Sequence, residues 1–156
     1  MVLQTLKNID MLGEMTEGQI DQVLASQVIG RIGCHADGKT YVVPVAFAFD
    51  GRHIYAHSRN GLKIAMMRKN PTVCFEVESI ENMRNWRCVI VNGVFEELKT
   101  AAMQVKAFKL LSDRLSPVTA SEAARPTPQP PPGEKKMRPV FFRISISEKS
   151  GRFEKD

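Results

Sequence analysis

The sequence predicts a mainly antiparallel β-barrel in one domain, residues 1–156. Six runs carry strand-like apolar patterns, and Asp37–Gly38 and Asp50–Gly51 stand between consecutive runs as tight-hairpin signals. The βαβ alternation and the GxGxxG of a dinucleotide-binding parallel sheet are both missing.

Along the chain, "TEGQIDQVLAS" places Thr16 three residues before Gln19, a capping-box spacing, with Ile20, Val23 and Leu24 on one helical face. "VIGRIGCHA" is the first strand, and Asp37–Gly38 turns it into "TYVVPVAFAFD". That second strand is apolar on both faces, with Tyr41, Val43, Val45, Phe47 and Phe49 on one and Val42, Pro44, Ala46 and Ala48 on the other. Such a strand needs cover on both sides. After Asp50–Gly51, Ile54 and Ala56 alternate with His53, Tyr55 and His57, a strand period.

The run from Leu62 through Met67 is dense in apolar residues and free of Pro and Gly, so a short helix follows, with Asn60 as its N-cap. Asn70–Pro71 ends it, because the residue before Pro is pushed out of the helical region. "TVCFEVES" alternates Val73, Phe75 and Val77 against Cys74, Glu76 and Glu78, the pattern of a strand with one core face and one wet face. "WRCVIVNGVFEEL" is a longer strand with Gly93 marking a bulge or bend. "TAAMQVKAFKLLSDRL" predicts a helix whose stripe includes Ala102, Val105, Leu110 and Leu111. Residues 116–139 are Pro-rich and predict a stiff, extended excursion. "VFFRISISEKSGRF" closes the barrel as a sixth strand.

No apolar run reaches the length of a membrane span, and "MVLQTLKNID" lacks the regions of a signal peptide. Three cysteines, Cys34, Cys74 and Cys88, with no CxxC spacing, fit free thiols, of which Cys74 and Cys88 are core residues, in a reducing compartment, the cytoplasm. The net charge is +5, but basic residues are interleaved with acids rather than gathered into a stripe, which argues against nucleic acid. His53, His57 and the Cys34–His35 pair show no metal-ligand spacing, so no metal is expected. Cys34 and His35 are adjacent on a strand and point to opposite faces, which removes a nucleophile–base pair.

The break between the third strand and its helix carries the chemistry. His57, Ser58, Arg59, Asn60, Gly61 and Lys63 bring a hydroxyl, cationic side chains and unpaired backbone N–H groups to one helix N-terminus. That pattern suits a phosphate or another anion; on the residues alone, a solvated junction whose basic residues face water is the commoner reading of it. Trp86 either plugs a barrel end or meets a flat aromatic ligand.

The order "IGRIGCHADGKTYVVPVAFAFDGRHIYAHSRNGLKIAMMRKNPTVCFEV", followed by "WRCVIVNGVFEEL", resembles the pyridoxamine 5′-phosphate oxidase-like flavoproteins, most nearly the branch that includes nitroimidazole-resistance proteins. The likeness is good from Val28 to Leu98 and looser to Leu115. It implies a six-stranded antiparallel split β-barrel, the FMN-binding split barrel, that forms a homodimer with FMN, or FAD, at the interface. Backbone groups at Val43, Pro44 and Val45 would meet the polar edge of the isoalloxazine. His57 and Ser58 would flank the phosphate, with Asn60 near it and Lys63 as its counter-charge. Trp86 and Arg87 would lie near the partner's flavin.

The resemblance further implies an oxidoreductase acting on a small-molecule electron donor or acceptor, related to nitroreductases or pyridoxamine-phosphate oxidases. A non-catalytic flavin-binding or storage protein and a haem-binding protein are the alternatives on the same barrel. Cys88 stands where pyridoxamine-phosphate oxidases proper carry Gln, and "SGRFEKD" replaces their basic, Pro-containing terminal motif, which argues against vitamin B6 oxidation. No residue is marked as a catalytic acid or base, although His57 titrates in the right range for proton delivery.

Overall fold

The computed structural model describes residues 12–119 and 138–156. In chain order its elements are β1 (Gly13–Glu14), α1 (Glu17–Ser26), β2 (Ile29–Ala36), β3 (Lys39–Ala46), β4 (Ala48–Phe49), β5 (His53–Ser58), α2 (Leu62–Lys69), β6 (Thr72–Asn82), β7 (Asn85–Glu97), α3 (Ala101–Thr119) and β8 (Val140–Glu154). Among the described residues, eight strands form one sheet in the order β3-β2-β6-β7-β8-β5-β4, with β1 added to β8. Every pairing is antiparallel. The sheet curls until Cα atoms of β3 and β5 come within 8 Å, yet no ladder joins them. The result is a split barrel whose six long strands fall in the six predicted runs. The second run is not continuous: it breaks at Phe47 into β3, paired with β2, and the short β4, paired with β5, and Ala48 is buried.

Period-2 alternation builds the interior. Ile32 and Cys34 of β2, Val73, Phe75 and Val77 of β6, Val89 and Val91 of β7, and Phe142 and Ile144 of β8 all turn inward and are buried. Phe47 meets Phe75 edge-on, with ring centroids 5.1 Å apart. α1 carries Ile20, Val23 and Leu24 into the same core, and burial of a side chain like Leu24 contributes about 1.5–3 kcal/mol. The predicted capping box holds its start: the Thr16 hydroxyl accepts from Gln19 N–H, and the Gln19 amide oxygen accepts from Thr16 N–H. Met66 and Met67 of α2 fill the barrel interior. No helix of the described residues is long and apolar enough to cross a membrane.

The turns follow their residues. Asp37 and Gly38 have φ of 52° and 74°, the doubly positive pattern of a two-residue hairpin turn. At the second turn Gly51 has φ of 95°, and the Asp50 carboxylate accepts from Arg52 and His53 N–H at 2.8 and 2.7 Å. The β7–β8 register slips between Asn92 and Gly93, at the predicted bulge.

Four expectations need correction. Inner cover is present on β3, but Val42 and Pro44 on its other face are exposed, Val42 by 61%; β3 ends the sheet and no described element lies over it. On α3 the inward line is Met103, Ala107, Leu110 and Leu111, with Ala102 and Val105 exposed. The helix is rotated by its entry, where Thr100 accepts from Met103 N–H and the Gln104 amide donates to the Leu98 carbonyl. Cys74 and Cys88 are half-buried on the outer face rather than in the core, because the inward positions of β6 and β7 fall to their neighbours. The extended excursion from residue 116 starts later, since α3 runs on to Thr119; loss of one backbone donor at Pro117 does not undo a helix already packed along four turns. Residues 120–137 of that segment, and the N-terminal stretch read for a signal peptide, lie outside the described residues.

Candidate flavin-binding site

β5 sends Ile54 and Ala56 into the core and turns His53, Tyr55 and His57 to the outer side. Tyr55 is buried there against Leu98 and Ala107. The strand stops at Ser58, and the turn Arg59-Asn60-Gly61 delivers the chain to α2. The Arg59 carbonyl organises that turn, accepting from the Ser58 hydroxyl at 2.9 Å and from Gly61 N–H at 2.8 Å.

Asn60 is not the N-cap. Gly61 occupies that position, and among the described residues no side chain bonds the first turn of α2. The Asn60 amide oxygen instead accepts from Arg68, one of whose guanidinium nitrogens lies 2.9 Å away. A charged donor outcompetes the backbone amides for that oxygen. The first N–H groups of α2 thus keep no side-chain acceptor, and the positive end of the helix dipole is uncompensated.

Lys63 lies half-buried in this first turn. The ion pairs of α2 are Arg68 with Glu97 and Lys69 with Asp37, so Lys63 has no carboxylate partner among the described residues. Its charge is felt by the Cys34 thiol, which burial nevertheless holds above its ordinary value. Uncapped amides, a dipole end and a half-buried cation without a counter-ion together fit an oxyanion. His57, Ser58, Asn60 and Lys63 are all at this junction.

His57 stands opposite Phe141 on β8. Desolvation lowers its pKa from the ordinary 6.5, so near neutral pH the ring is uncharged. It can hydrogen-bond an anion there without adding a second full positive charge.

The open edge of β3 comes within 8 Å of β5, the strand that leads into the junction. Pro44 has no N–H and pairs with Arg31, so its backbone faces away from β2. The alternation then turns Val43 and Val45 toward β2; Phe47, in the same phase, donates to the Val28 carbonyl at 3.0 Å. Among the described residues, the backbone groups of the edge that the β2–β3 ladder leaves unpaired are the Pro44 carbonyl and those of Val42 and Ala46. Val43 and Val45 contribute side chains, half-buried and buried, to the inner face.

Trp86 and Arg87 are not brought to this junction. They line a cleft of about 430 Å³ with Ser79, Glu81 and Asn85, at the far end of the sheet. The Trp86 indole donates to Glu154 at 2.8 Å. Trp86 pairs with Ile80 near the end of β6, whereas Cys34, on whose thiol Lys63 acts, adjoins the Gly33–Cys74 pair and so lies level with Val73 at the start of β6. Seven residues of strand at about 3.3 Å each separate the two groups by about 23 Å.

Arg68 and Glu97 complete the junction and were not marked by the sequence reading. Arg68 Nε and one terminal nitrogen grip the two Glu97 oxygens at 2.9 and 2.7 Å. The carboxylate raises the Arg68 pKa further, and the guanidinium lowers that of Glu97. The available signal was the position of Arg68 one and a half turns beyond Lys63, but its acid partner lies 29 residues away.

A model of the pyridoxamine 5′-phosphate oxidase family matches residues 16–153. A crystal structure of an FAD-binding protein from Mesorhizobium loti superposes with a TM-score of 0.76 at 31% identity, over 94% of this chain and 99% of the other. An uncharacterised protein of Rhizobium meliloti is 28% identical over 88% of this chain and 92% of its own length. A 5-nitroimidazole-resistance-like protein of Bacteroides thetaiotaomicron shares the fold, with a TM-score of 0.65 at 14% identity over 92% of this chain and 89% of the other.

Proposed function

The chain belongs to the pyridoxamine 5′-phosphate oxidase family, and from that premise we propose that it is a flavin-binding oxidoreductase working as a homodimer. The observation that carries the reading is Lys63, half-buried at the uncapped start of α2 with no carboxylate partner among the described residues. A flavin phosphate supplies the missing anion. FMN is the simplest fit, and FAD, the ligand of the Mesorhizobium loti relative, brings the same phosphate chemistry.

Each residue has a task in this reading. The α2 amides and Lys63 hold the phosphate, Ser58 and Asn60 border it, and neutral His57 donates a hydrogen bond rather than a charge. The edge of β3 takes the flat ring: the Pro44 carbonyl is a free acceptor and Ala46 N–H a free donor, matching the donor and acceptors on the pyrimidine side of an isoalloxazine. Bound flavin supplies two-electron redox chemistry toward a small-molecule donor or acceptor. The barrel's own work is to orient the ring and shield one of its faces.

The uncovered outer face supports the dimer. Ile29, Val42 and Ile80 are more than half exposed on β2, β3 and β6, and Arg31 between them bridges Glu76 and Glu78 at 3.2 and 3.0 Å. A second copy buries this face and brings its own Trp86 and Arg87 to the flavin that the first copy holds.

The test is an absorption spectrum of the purified protein with mass spectrometry of the released ligand, followed by reduction with NADH or NADPH. Flavin maxima and reduction support the reading. A flavin that no donor reduces and no acceptor reoxidises leaves a binding or storage protein. A Soret band in place of flavin maxima overturns it.

A further inference from the structure

We propose that Arg68 and Glu97 are positioning residues that set the phosphate affinity of the junction by fixing the Asn60 amide. This rests on the flavin-phosphate reading and adds a device to it. Guanidinium has donors and no acceptor, so only the amide oxygen of Asn60 can face Arg68 at 2.9 Å. The orientation of the amide is therefore set by chemistry, and both Nδ2 hydrogens are left for another acceptor. Asn60 directly precedes the Gly61 cap, three residues before Lys63, where a phosphate on the α2 amides is the acceptor in reach.

Arg68 itself is held. Its two bonds to Glu97, at 2.7 and 2.9 Å, form the parallel fork that restricts a guanidinium in plane and direction. Glu97 ends β7, and β7 is laddered along its length to β6 and β8. The chain of restraint thus runs from the barrel wall through Glu97 and Arg68 to one side-chain amide. Glu97 also neutralises Arg68, so the guanidinium orients without adding its full charge to the site.

The sign of one substitution separates this role from its rivals. Titrations with FMN and with riboflavin, which lacks the phosphate, are read by quenching of flavin fluorescence. Glu97→Ala weakens FMN about tenfold and leaves riboflavin unchanged, because part of a charge-assisted hydrogen bond is lost. Asn60→Ala gives a similar loss, and the double variant is no weaker than Asn60→Ala alone. Glu97→Gln, which keeps shape and one acceptor, loses less and serves where Glu97→Ala folds poorly.

Tighter FMN binding by Glu97→Ala overturns the proposal, since it shows a freed Arg68 acting as a direct counter-charge. Equal weakening of FMN and riboflavin overturns it too, since the fork is then only a structural tie. Lys63→Ala tells the two readings apart. If it loses FMN selectively while Glu97→Ala does not, the phosphate site stands and the positioning role falls; if it keeps full FMN affinity, both fall.

Discussion

His57 and Phe141 face each other across the β5–β8 ladder, their ring centroids 5.8 Å apart and tilted by 60°. Much of the imidazole is open to water, but the contact strips enough hydration to depress its pKa below the ordinary 6.5. A base depressed in the folded state takes up protons more readily when unfolded. Its contribution to stability is therefore complete above about pH 6.5 and lost as the pH falls below it. The ligand-free protein should lose stability on acidification through that range, and His57→Gln should lessen the slope. An NMR titration midpoint for His57 at or above the ordinary value contradicts this.

Lys63→Ala should separate affinity from stability. The ammonium has no carboxylate partner among the described residues, so its removal should leave the melting temperature of the ligand-free protein unchanged within a degree or so, as at sites without special contacts. FMN affinity should fall about ten- to a hundredfold, the loss of a charge-assisted contact of about 1.5–3 kcal/mol. Lys63→Arg should recover only part, because a planar fork replaces a compact cation. A large drop in the melting temperature with FMN affinity intact assigns Lys63 to the fold instead.

Cys88 should be a sluggish thiol. Burial, and then the Glu76 carboxylate 3.6 Å from its sulfur, push its pKa from 9.0 up to about 11. Iodoacetamide labelling of Cys88, followed by mass spectrometry, should stay slow at pH 8, and Glu76→Gln should speed it. A rate–pH midpoint near 9 refutes the assignment.

Gly93 should not tolerate a side chain. A Cβ there would lie 2.5 Å from the Ser145 carbonyl oxygen and 2.7 Å from Ile144, both on the adjacent strand. Gly93→Ala should cost about 1–3 kcal/mol by denaturant unfolding, as overpacking does. A cost under about 0.5 kcal/mol, typical of an unconstrained surface site, shows that the bulge can shift to make room.

The bulge belongs to the part of the fold that was legible in the sequence. Local rules of short reach set it, the capping box at Thr16 and the Asp-Gly turns, and period-2 alternation set the inward rows. What was not legible depended on neighbours distant in sequence. Val105 and Leu111 are equally apolar, but only the entry of α3 beside Leu98 decides which faces the barrel. Asn60 is a good cap by type, yet an arginine eight residues on takes its oxygen. The family likeness pointed to His57, Ser58, Asn60 and Lys63, which all belong to the β5–α2 junction. It could not reveal the Arg68–Glu97 fork, because neither residue is part of a local motif.

The distance between Lys63 and Trp86 makes the last prediction. With about 23 Å of strand between them, one flavin cannot sit against both residues of the same chain in compact contact. If Trp86 meets the ring, it does so from the other copy. Lys63→Ala and Trp86→Ala should each weaken FMN binding as separate proteins, and neither should form a normal site. Mixed in equal amounts and allowed to exchange subunits, half of the dimers become hybrids. Each hybrid has one site with both defects and one with neither, so about a quarter of all sites should regain full affinity in a symmetric dimer. The recovered fraction is read directly as tightly bound flavin after gel filtration. Were Trp86 to serve its own chain, every site in the mixture would carry one defect and no tight binding would return. A Trp86→Ala protein with undiminished affinity removes Trp86 from the site, and a flavin-loaded monomer at micromolar concentration removes the dimer.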